Sequence, residues 1–302
     1  MEKGIRKNHF DKANLSNLRR NIHRIEKGLS YPVPKEVFAE DYILETVLIL
    51  KTAIDLNCLD TSTKNWGKNV LNLYFKNCFH SPSIEEAYAV YKSIISLSQT
   101  DIEPDMVPYL SRDRPLSNID YETFYQLAIR RRSVRYFLDK TVDKNLVKKA
   151  MDIALLSPSA CNRQSFKYLY FDKPEIVSEL ASIPGGVQGY TLPAVIVVLG
   201  CYGGYFDVRD VNVPIIDASL TIMSFILALE TLGLSSVCIN WPNIPQKEEK
   251  VRQIIKIEED EFIILMIGLG YPDLYGKIPY SAKLPTEAVL FINQRLNELN
   301  RQ

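Results

Sequence analysis

The sequence predicts a protein of the α+β or α/β class, with a helical N-terminal part followed by a sheet covered by helices. Apolar residues in the first hundred positions recur at helical spacing, with no strand pattern. From Asp120 onward, helical segments alternate with short apolar runs of strand character. Between the two parts, TDIEPDMVPYLSRDRPLSN contains three prolines and little periodicity. We therefore predict a helical extension over residues 1–115 and a sheet domain over residues 116–302.

The helices of the first part are indicated by four periodic segments: LSNLRRNIHRIEKGLS, YILETVLILKTAIDL, WGKNVLNLYFKNC and IEEAYAVYKSIISLSQ. In the second part, Asp120 and Asp143 are suited to capping the helices YETFYQLAIRRR and KNLVKKAMDIALL. FKYLYF, AVIVVLG, SSVCIN and FIILMIGLG are the predicted strands, and PEIVSELAS and PQKEEKVRQII are helices that begin with proline. An amphipathic segment, PTEAVLFINQRLNELN, comes last.

The segment VPIIDASLTIMSFILALETLG predicts a long helix that ends at Gly233 and has hardly any polar face. Such a helix has to be buried on all sides. We expect it at the centre of the core or at the interface of a homodimer.

Composition argues against several functional classes. The 302 residues include 36 basic and 36 acidic side chains, so no overall field attracts nucleic acid or an anionic membrane. The N-terminal residues lack the apolar core of a secretory signal, and PAVIVVLGC is far shorter than the roughly 20 residues that span a bilayer. We expect a cytoplasmic protein. Its five cysteines include no C-x-x-C pair and are expected to be reduced and mostly buried, and its three histidines make a zinc site or a histidine triad improbable.

Four arginines fall within seven positions of the segment IRRRSVRYF, residues 129–137. They follow a helix, whose C-terminal dipole favours cations, and this alone could explain them. A guanidinium is also the side chain best suited to a bidentate grip on phosphate, to which Ser133 could add a hydroxyl. Charge alone leaves both interpretations open.

A second polar segment, LLSPSACNRQSF, follows the next helix. Its serines, asparagine and glutamine suit an ordinary turn, or a planar ligand with carbonyl and N–H edges. Two further segments, GLSSVCINWP and MIGLGYPD, are strands that end in small or turn residues, where sheet proteins receive ligands. Neither a dinucleotide G-x-G-x-x-G fingerprint nor a P-loop is present in the sequence.

Taken together and in this order, RRSVRYF, SPSACNRQSF, LGLSSVCIN and IGLGYPD resemble the signatures of the FMN-dependent nitroreductase superfamily. The resemblance covers roughly residues 120–302. It implies an α+β fold with a central, mostly antiparallel sheet flanked by helices. It also implies a homodimer with two FMN sites at the subunit interface, each built from both chains.

The resemblance also implies roles for individual residues. The basic segment would hold the FMN phosphate through Arg131, Arg132, Ser133 and Arg135, and Lys283 would complete that site. Pro158, Ser159, Ala160 and Asn162 of the partner chain would lie along the flavin, and Ser235 and Ser236 would contact it near N5. Gln188 matches a further family position, but Gly186, Ser235 and Ser281 stand where the family has other residues.

The activity that the resemblance implies is hydride transfer from NAD(P)H through flavin N5 to a small organic acceptor, by ping-pong turnover. Trp241 and Tyr202 are the aromatic candidates for contacting a substrate, whereas Asp207 and Asp210 beside Arg209 are expected to be structural. Other flavin chemistry, such as flavin breakdown or dehalogenation, is an alternative, and so is a non-enzymatic interaction protein. The helical extension is expected to pack on the core and to cover the flavin slot.

Overall fold

The computed structural model describes residues 14–33, 35–78, 81–96, 106–205 and 207–293. Within these ranges, every regular element before residue 106 is a helix, as the sequence predicts. These elements are α1 (Leu15–Leu29), α2 (Ile43–Asp55), α3 (Thr61–Asn77) and α4 (Pro82–Ser96). Asn14 and Asp60 cap α1 and α3 by accepting hydrogen bonds from Asn17 N and Thr63 N. The four helices enclose one apolar cluster that includes Leu18, Ile22, Leu50 and Tyr74.

The sheet domain follows the predicted order of elements. Asp120 and Asp143 cap the first two helices, as predicted, by accepting hydrogen bonds from Thr123 N and Asn145 N. The helices are α5 (Tyr121–Arg130), α6 (Lys144–Ala154), α7 (Pro174–Ser182), α8 (Val213–Thr231) and α9 (Pro245–Ile254). The strands are β1 (Phe166–Phe171), β2 (Ala194–Cys201), β3 (Ser235–Asn240) and β4 (Glu261–Gly270).

The four strands form one sheet in the order β1-β2-β4-β3, and every neighbouring pair is antiparallel. Side chains alternate between the two faces of β2, as the pleat of a strand requires. Ile196 and Val198 join a core with α6 and α8, whereas Val195 and Val197 join a second core with α7 and α9. Helices therefore cover both faces of the sheet, which confirms the predicted α+β class.

Helix α8 is buried on one side only within the single chain, so it does not lie at the centre of the core, and its expected place at a homodimer interface stays a prediction. Its inner face, with Ala218, Phe225 and Leu229, packs on the sheet. Its outer face carries Ile215, Ile216, Leu220 and Met223, which are between 41% and 55% exposed. With the turn before it, α8 forms the one stretch of the described ranges, Val208–Thr231, that is long and apolar enough to cross a membrane, and core helices pass the same test.

Two further expectations change in detail. All five cysteines are free, but only Cys78 is buried, and Cys58 and Cys238 are exposed. A cysteine's apolar character does not decide on which face of its element it lies. In the C-terminal amphipathic segment, the short 3-10 turn Thr286–Ala288 is the only regular element as far as residue 293, and the rest of the segment lies outside the described residues.

Candidate functional site

The basic segment lies against the ends of two strands. Ser133 pairs with Ser236 through a parallel bridge, and Val134 N donates to Ser236 O at 3.0 Å. Farther along, Leu138 N donates to Tyr271 O at 2.9 Å. Three of the four sequence segments singled out above therefore meet at one place, which is the start of β3 and the end of β4.

Three arginines of this segment, Arg131, Arg132 and Arg135, form no salt bridge with a described residue, although the charge of Arg131 acts on the nearby Glu230. Arg130 differs, because its Nε lies 3.4 Å from a carboxylate oxygen of Glu230. The Nε of Arg131 is buried and has no hydrogen-bond partner among the described residues. Within the described ranges, Arg135 donates only to the nearby carbonyl of Ser133, at 3.3 Å. Arg131, Arg132 and Arg135 thus form a local concentration of positive charge with unused donors, which fits an anionic ligand such as a phosphate.

Glu230 lies at the C-terminal end of α8, with only 3% of its side chain exposed. It accepts a hydrogen bond from Ser235 Oγ at 3.0 Å. Burial raises the pKa of this carboxyl above its usual value, although Ser235, Arg130 and Arg131 counteract the shift. The Ser235 hydroxyl therefore serves a buried contact within the fold.

The second polar segment, LLSPSACNRQSF, is hydrogen-bonded to residues of α8 that precede Glu230. Ser157 Oγ donates to Ser224 Oγ at 2.7 Å, and Ala160 N donates to Asp217 Oδ1 at 2.9 Å. Ser159 Oγ accepts from Gln164 N at 3.1 Å, so its own hydroxyl proton remains to be donated. Because the Ala160 amide is bonded to Asp217, this residue can offer a ligand its methyl group but not its N–H.

The two polar segments are thus separated along α8. Asp217, which holds the second segment, and Glu230, which pairs with the first, are thirteen residues apart on this helix. At a rise of roughly 1.5 Å per residue, this spacing corresponds to about 20 Å. The two polar segments, called the two candidate half sites below, therefore do not form one compact pocket within a single chain.

Asp217 joins the second half site to the neighbouring turn. Its Oδ2 accepts a hydrogen bond from the Tyr205 hydroxyl at 2.9 Å, and Arg163 lies over the Tyr205 ring at 5.0 Å. Burial raises the pKa of Asp217 above 3.8, and the hydrogen bonds from Ala160 and Tyr205 only partly oppose the shift.

This raised pKa predicts how Asp217→Asn affects stability. A carboxyl whose pKa is higher in the folded than in the unfolded state loses stabilisation as pH rises from the unfolded value of 3.8 through the folded value. Asparagine keeps an acceptor for Ala160 N and does not titrate. The melting temperature of Asp217→Asn minus that of the wild type should increase with pH and then level off, in thermal unfolding from about pH 3 to about pH 8. A difference that stays constant with pH would contradict the prediction.

The other residues singled out in the sequence lie away from these half sites or at the surface. Gln188 and Lys283 are exposed. Trp241 packs in the core with α7 and α9 and is 9% exposed, so its ring has little free surface for a substrate. One face of Tyr202 is stacked on Phe262, with 4.5 Å between ring centroids.

The two aspartates near Arg209 are structural, as expected, but their contacts differ from an ion pair with that arginine. Asp207 accepts from the backbone N–H of Arg209 at 3.1 Å. Asp210 pairs with the buried Arg163, at 3.7 Å.

Sequence reasoning missed the roles of Asp217 and Glu230. They are the only ionisable residues of α8, within VPIIDASLTIMSFILALET. A charge inside an otherwise apolar helix usually has a specific partner, because its burial is costly without one. That signal was present in the sequence and marks the two points at which the polar segments are anchored.

Comparison with known proteins gives a consistent result. The family model described as "Nitroreductase family" matches residues 128–184 and 188–271. A relative from Methanothermobacter thermautotrophicus, provisionally named NADH dehydrogenase/NAD(P)H nitroreductase, is 27% identical over 143 residues, covering 47% of this chain and 73% of that protein. A relative of the same provisional name from Archaeoglobus fulgidus is 24% identical over 155 residues, covering 50% of this chain and 86% of its own length.

Solved structures show the same fold. The provisional nitroreductase ydfN from Bacillus subtilis aligns with a TM-score of 0.52 and 20% identity, over 57% of this chain and 100% of that chain. NfrA2 from B. megaterium aligns with a TM-score of 0.50 and 21% identity, over 58% of this chain and 76% of that chain. Both alignments leave out much of the present chain. Over residues 128–184 and 188–271, the chain is similar to the nitroreductase family.

Proposed function

We propose that this protein is an FMN-dependent oxidoreductase that takes electrons from NAD(P)H and passes them to a small organic acceptor, such as a nitroaromatic compound or a quinone. The observation that carries the proposal is the set of three arginines that form no salt bridge within the described ranges, beside the bridge between Ser133 and Ser236. A dianionic phosphate group of a bound cofactor would neutralise most of this charge. The match to the nitroreductase family model supports FMN as that cofactor.

In this proposal, Arg131, Arg132 and Arg135 bind the ribityl phosphate, and Ser133 adds a hydroxyl donor. Arginine suits this role because its planar guanidinium can make two parallel hydrogen bonds to phosphate oxygens. Glu230 pairs with Arg130, and the nearby charge of Arg131 partly counteracts the rise that burial causes in the Glu230 pKa. Lys283, which lies in the exposed C-terminal segment, supplies a further cation.

The remaining flavin contacts come from a second copy of the chain. The outer face of α8 exposes four apolar side chains, a surface that a subunit interface would bury. In a twofold dimer, antiparallel crossing of two α8 helices would place the Asp217 half of one against the Glu230 half of the other. The phosphate clamp of one subunit would thereby face Pro158, Ser159, Ala160 and Asn162 of its partner.

The chemistry that bound FMN supplies is hydride transfer from NAD(P)H to the acceptor through flavin N5, in two half-reactions of a ping-pong cycle. The chain's own residues bind the cofactor and orient it. The arginine clamp fixes the phosphate, Ser235 and Ser236 bring the backbone of β3 to the flavin near N5, and Ser159 offers a hydroxyl donor to its edge. Gln188, in the loop before β2, is proposed to contact the same edge. These cofactors also fit the expected cytoplasmic location.

Two measurements test the proposal: the visible absorbance of the purified protein and the reduction of its flavin by NADH or NADPH. The purified protein should carry bound FMN, visible as flavin absorbance, and anaerobic addition of NADH or NADPH should bleach it. Oxidation by added quinone should then restore the absorbance. A colourless protein that does not bind added FMN would refute the cofactor assignment. Bound flavin that neither nucleotide bleaches would favour the alternative flavin chemistries.

A further inference from the structure

We infer that the helical extension is part of the flavin site, with Arg19 of α1 acting as a positioning residue for the loop 159–164. This inference rests on the proposed function, because that loop is the part of the chain assigned to the partner's flavin. Arg19 Nε donates a hydrogen bond of 2.9 Å to the carbonyl oxygen of Asn162. Arg19 and Asn162 lie 143 positions apart in the sequence, so this bond joins the extension to the nitroreductase domain.

The Arg19 side chain makes two further contacts within the extension. Its Nη1 donates to Thr63 Oγ1 at 2.6 Å, and its guanidinium lies 5.2 Å from the centre of the Trp66 ring. Thr63 is buried, and its amide caps α3 by donating to Asp60. The extension thus presents a guanidinium that is fixed by α3 on one side and binds the loop on the other.

The loop needs such support because its backbone is strained. Cys161, Asn162 and Gln164 all have positive φ angles, of 53°, 53° and 52°, although none of them is glycine. A conformation of this kind persists where the surroundings impose it. From the nitroreductase domain, Asp217 binds the Ala160 amide. From the extension, Arg19 binds the Asn162 carbonyl at the strained positions themselves.

A second bond ties the extension to the same neighbourhood. Asn14, the cap of α1, donates from Nδ2 to the carbonyl of Gly203 at 3.2 Å. Gly203 lies in the turn that leads to Tyr205, and Tyr205 donates to Asp217. Helix α1 and its cap therefore bond both to the loop and to the turn at Gly203. Through Tyr205 and Asp217, this turn is connected to the same loop. Docking of α1 would then set the loop's shape.

The experiment compares Arg19→Met with Arg24→Met in the full-length protein. Arg24 is on the same helix, but it pairs with Asp41 and lies over Tyr42, both within the extension. Arg19→Met should weaken FMN binding to flavin-free protein by about tenfold, as expected for loss of one hydrogen bond to a charged group. It should also change the visible circular dichroism of bound flavin and speed amide hydrogen exchange in residues 159–164. Arg24→Met should leave all three measurements near the wild-type values.

Thr63→Val provides a second variant if Arg19→Met folds poorly, since it removes the acceptor that steadies Arg19 and leaves the loop untouched. We expect a smaller effect in the same direction. Unchanged FMN affinity and dichroism in Arg19→Met would overturn the inference, even if the extension became less stable. Wild-type protein that fails to bind FMN would instead overturn the proposed function, and the exchange measurement would still show whether Arg19 holds the loop.

Discussion

Replacing Arg131 with alanine is expected to weaken FMN binding by roughly 100-fold. Its Nε is buried without a partner among the described residues, and in the proposed clamp its guanidinium binds the FMN phosphate. Hydrogen bonds to charged groups contribute about 1.5–3 kcal/mol, and every 1.4 kcal/mol changes a binding constant by about tenfold. Quenching of FMN fluorescence during titration of flavin-free protein measures the change directly.

Arg130→Ala is the matched control for this prediction. The two arginines are adjacent, but Arg130 is 62% exposed and pairs with Glu230 at the end of α8. Its removal should change FMN affinity by no more than about fivefold, because a solvent-exposed guanidinium contributes at most about 1 kcal/mol through an ion pair. Equal losses in the two variants would show that general positive charge attracts the cofactor. Full retention of FMN by Arg131→Ala would refute the clamp.

Leu220→Lys should convert the protein to a monomer and remove its flavin, although it alters no residue of the phosphate clamp. Leu220 is 43% exposed on the outer face of α8. In a twofold interface the substitution occurs twice, and each buried lysine without a partner costs several kcal/mol. The dimer dissociation constant should therefore rise by more than about a thousandfold. Light scattering coupled to size-exclusion chromatography gives the mass, and absorbance of the same peak gives the flavin content.

Leu48→Lys is the control for charge introduced at an exposed leucine. Leu48 lies on α2 of the extension and is 45% exposed, which closely matches Leu220. This variant should remain dimeric and keep its bound flavin. A dimeric Leu220→Lys protein would show that α8 does not form the interface. A monomeric variant that keeps its flavin would show instead that one chain is sufficient for the site.

Local patterns predicted the fold well because they are set by neighbouring residues. Asp120 and Asp143 cap helices as predicted, since the interaction spans only two or three positions. The strands were evident from short apolar runs. As expected, α8 ends just before Gly233, which has a φ of 76°. The motif order was also sufficient to indicate the nitroreductase family, although composition alone would have left Arg131 as a cation near a helix end.

The features that sequence did not predict depend on distant contacts. An apolar helix has the same sequence pattern whether a domain core or a second subunit covers it, so the pattern alone could not choose between these two expectations for α8. The bond from Arg19 to the Asn162 carbonyl has no local signature, because any backbone carbonyl can accept it. Nor could residue type alone show that the Ala160 amide is bonded to Asp217.

The placement of the two half sites about 20 Å apart on α8 has a thermodynamic consequence. In the proposed dimer, cofactor binding and subunit association are linked equilibria, so each must strengthen the other by the same factor. The apparent flavin affinity should fall when the protein is diluted below its dimer dissociation constant, and saturating flavin should raise the melting temperature in a concentration-dependent way. Cofactor supply would then set how much of the protein is assembled.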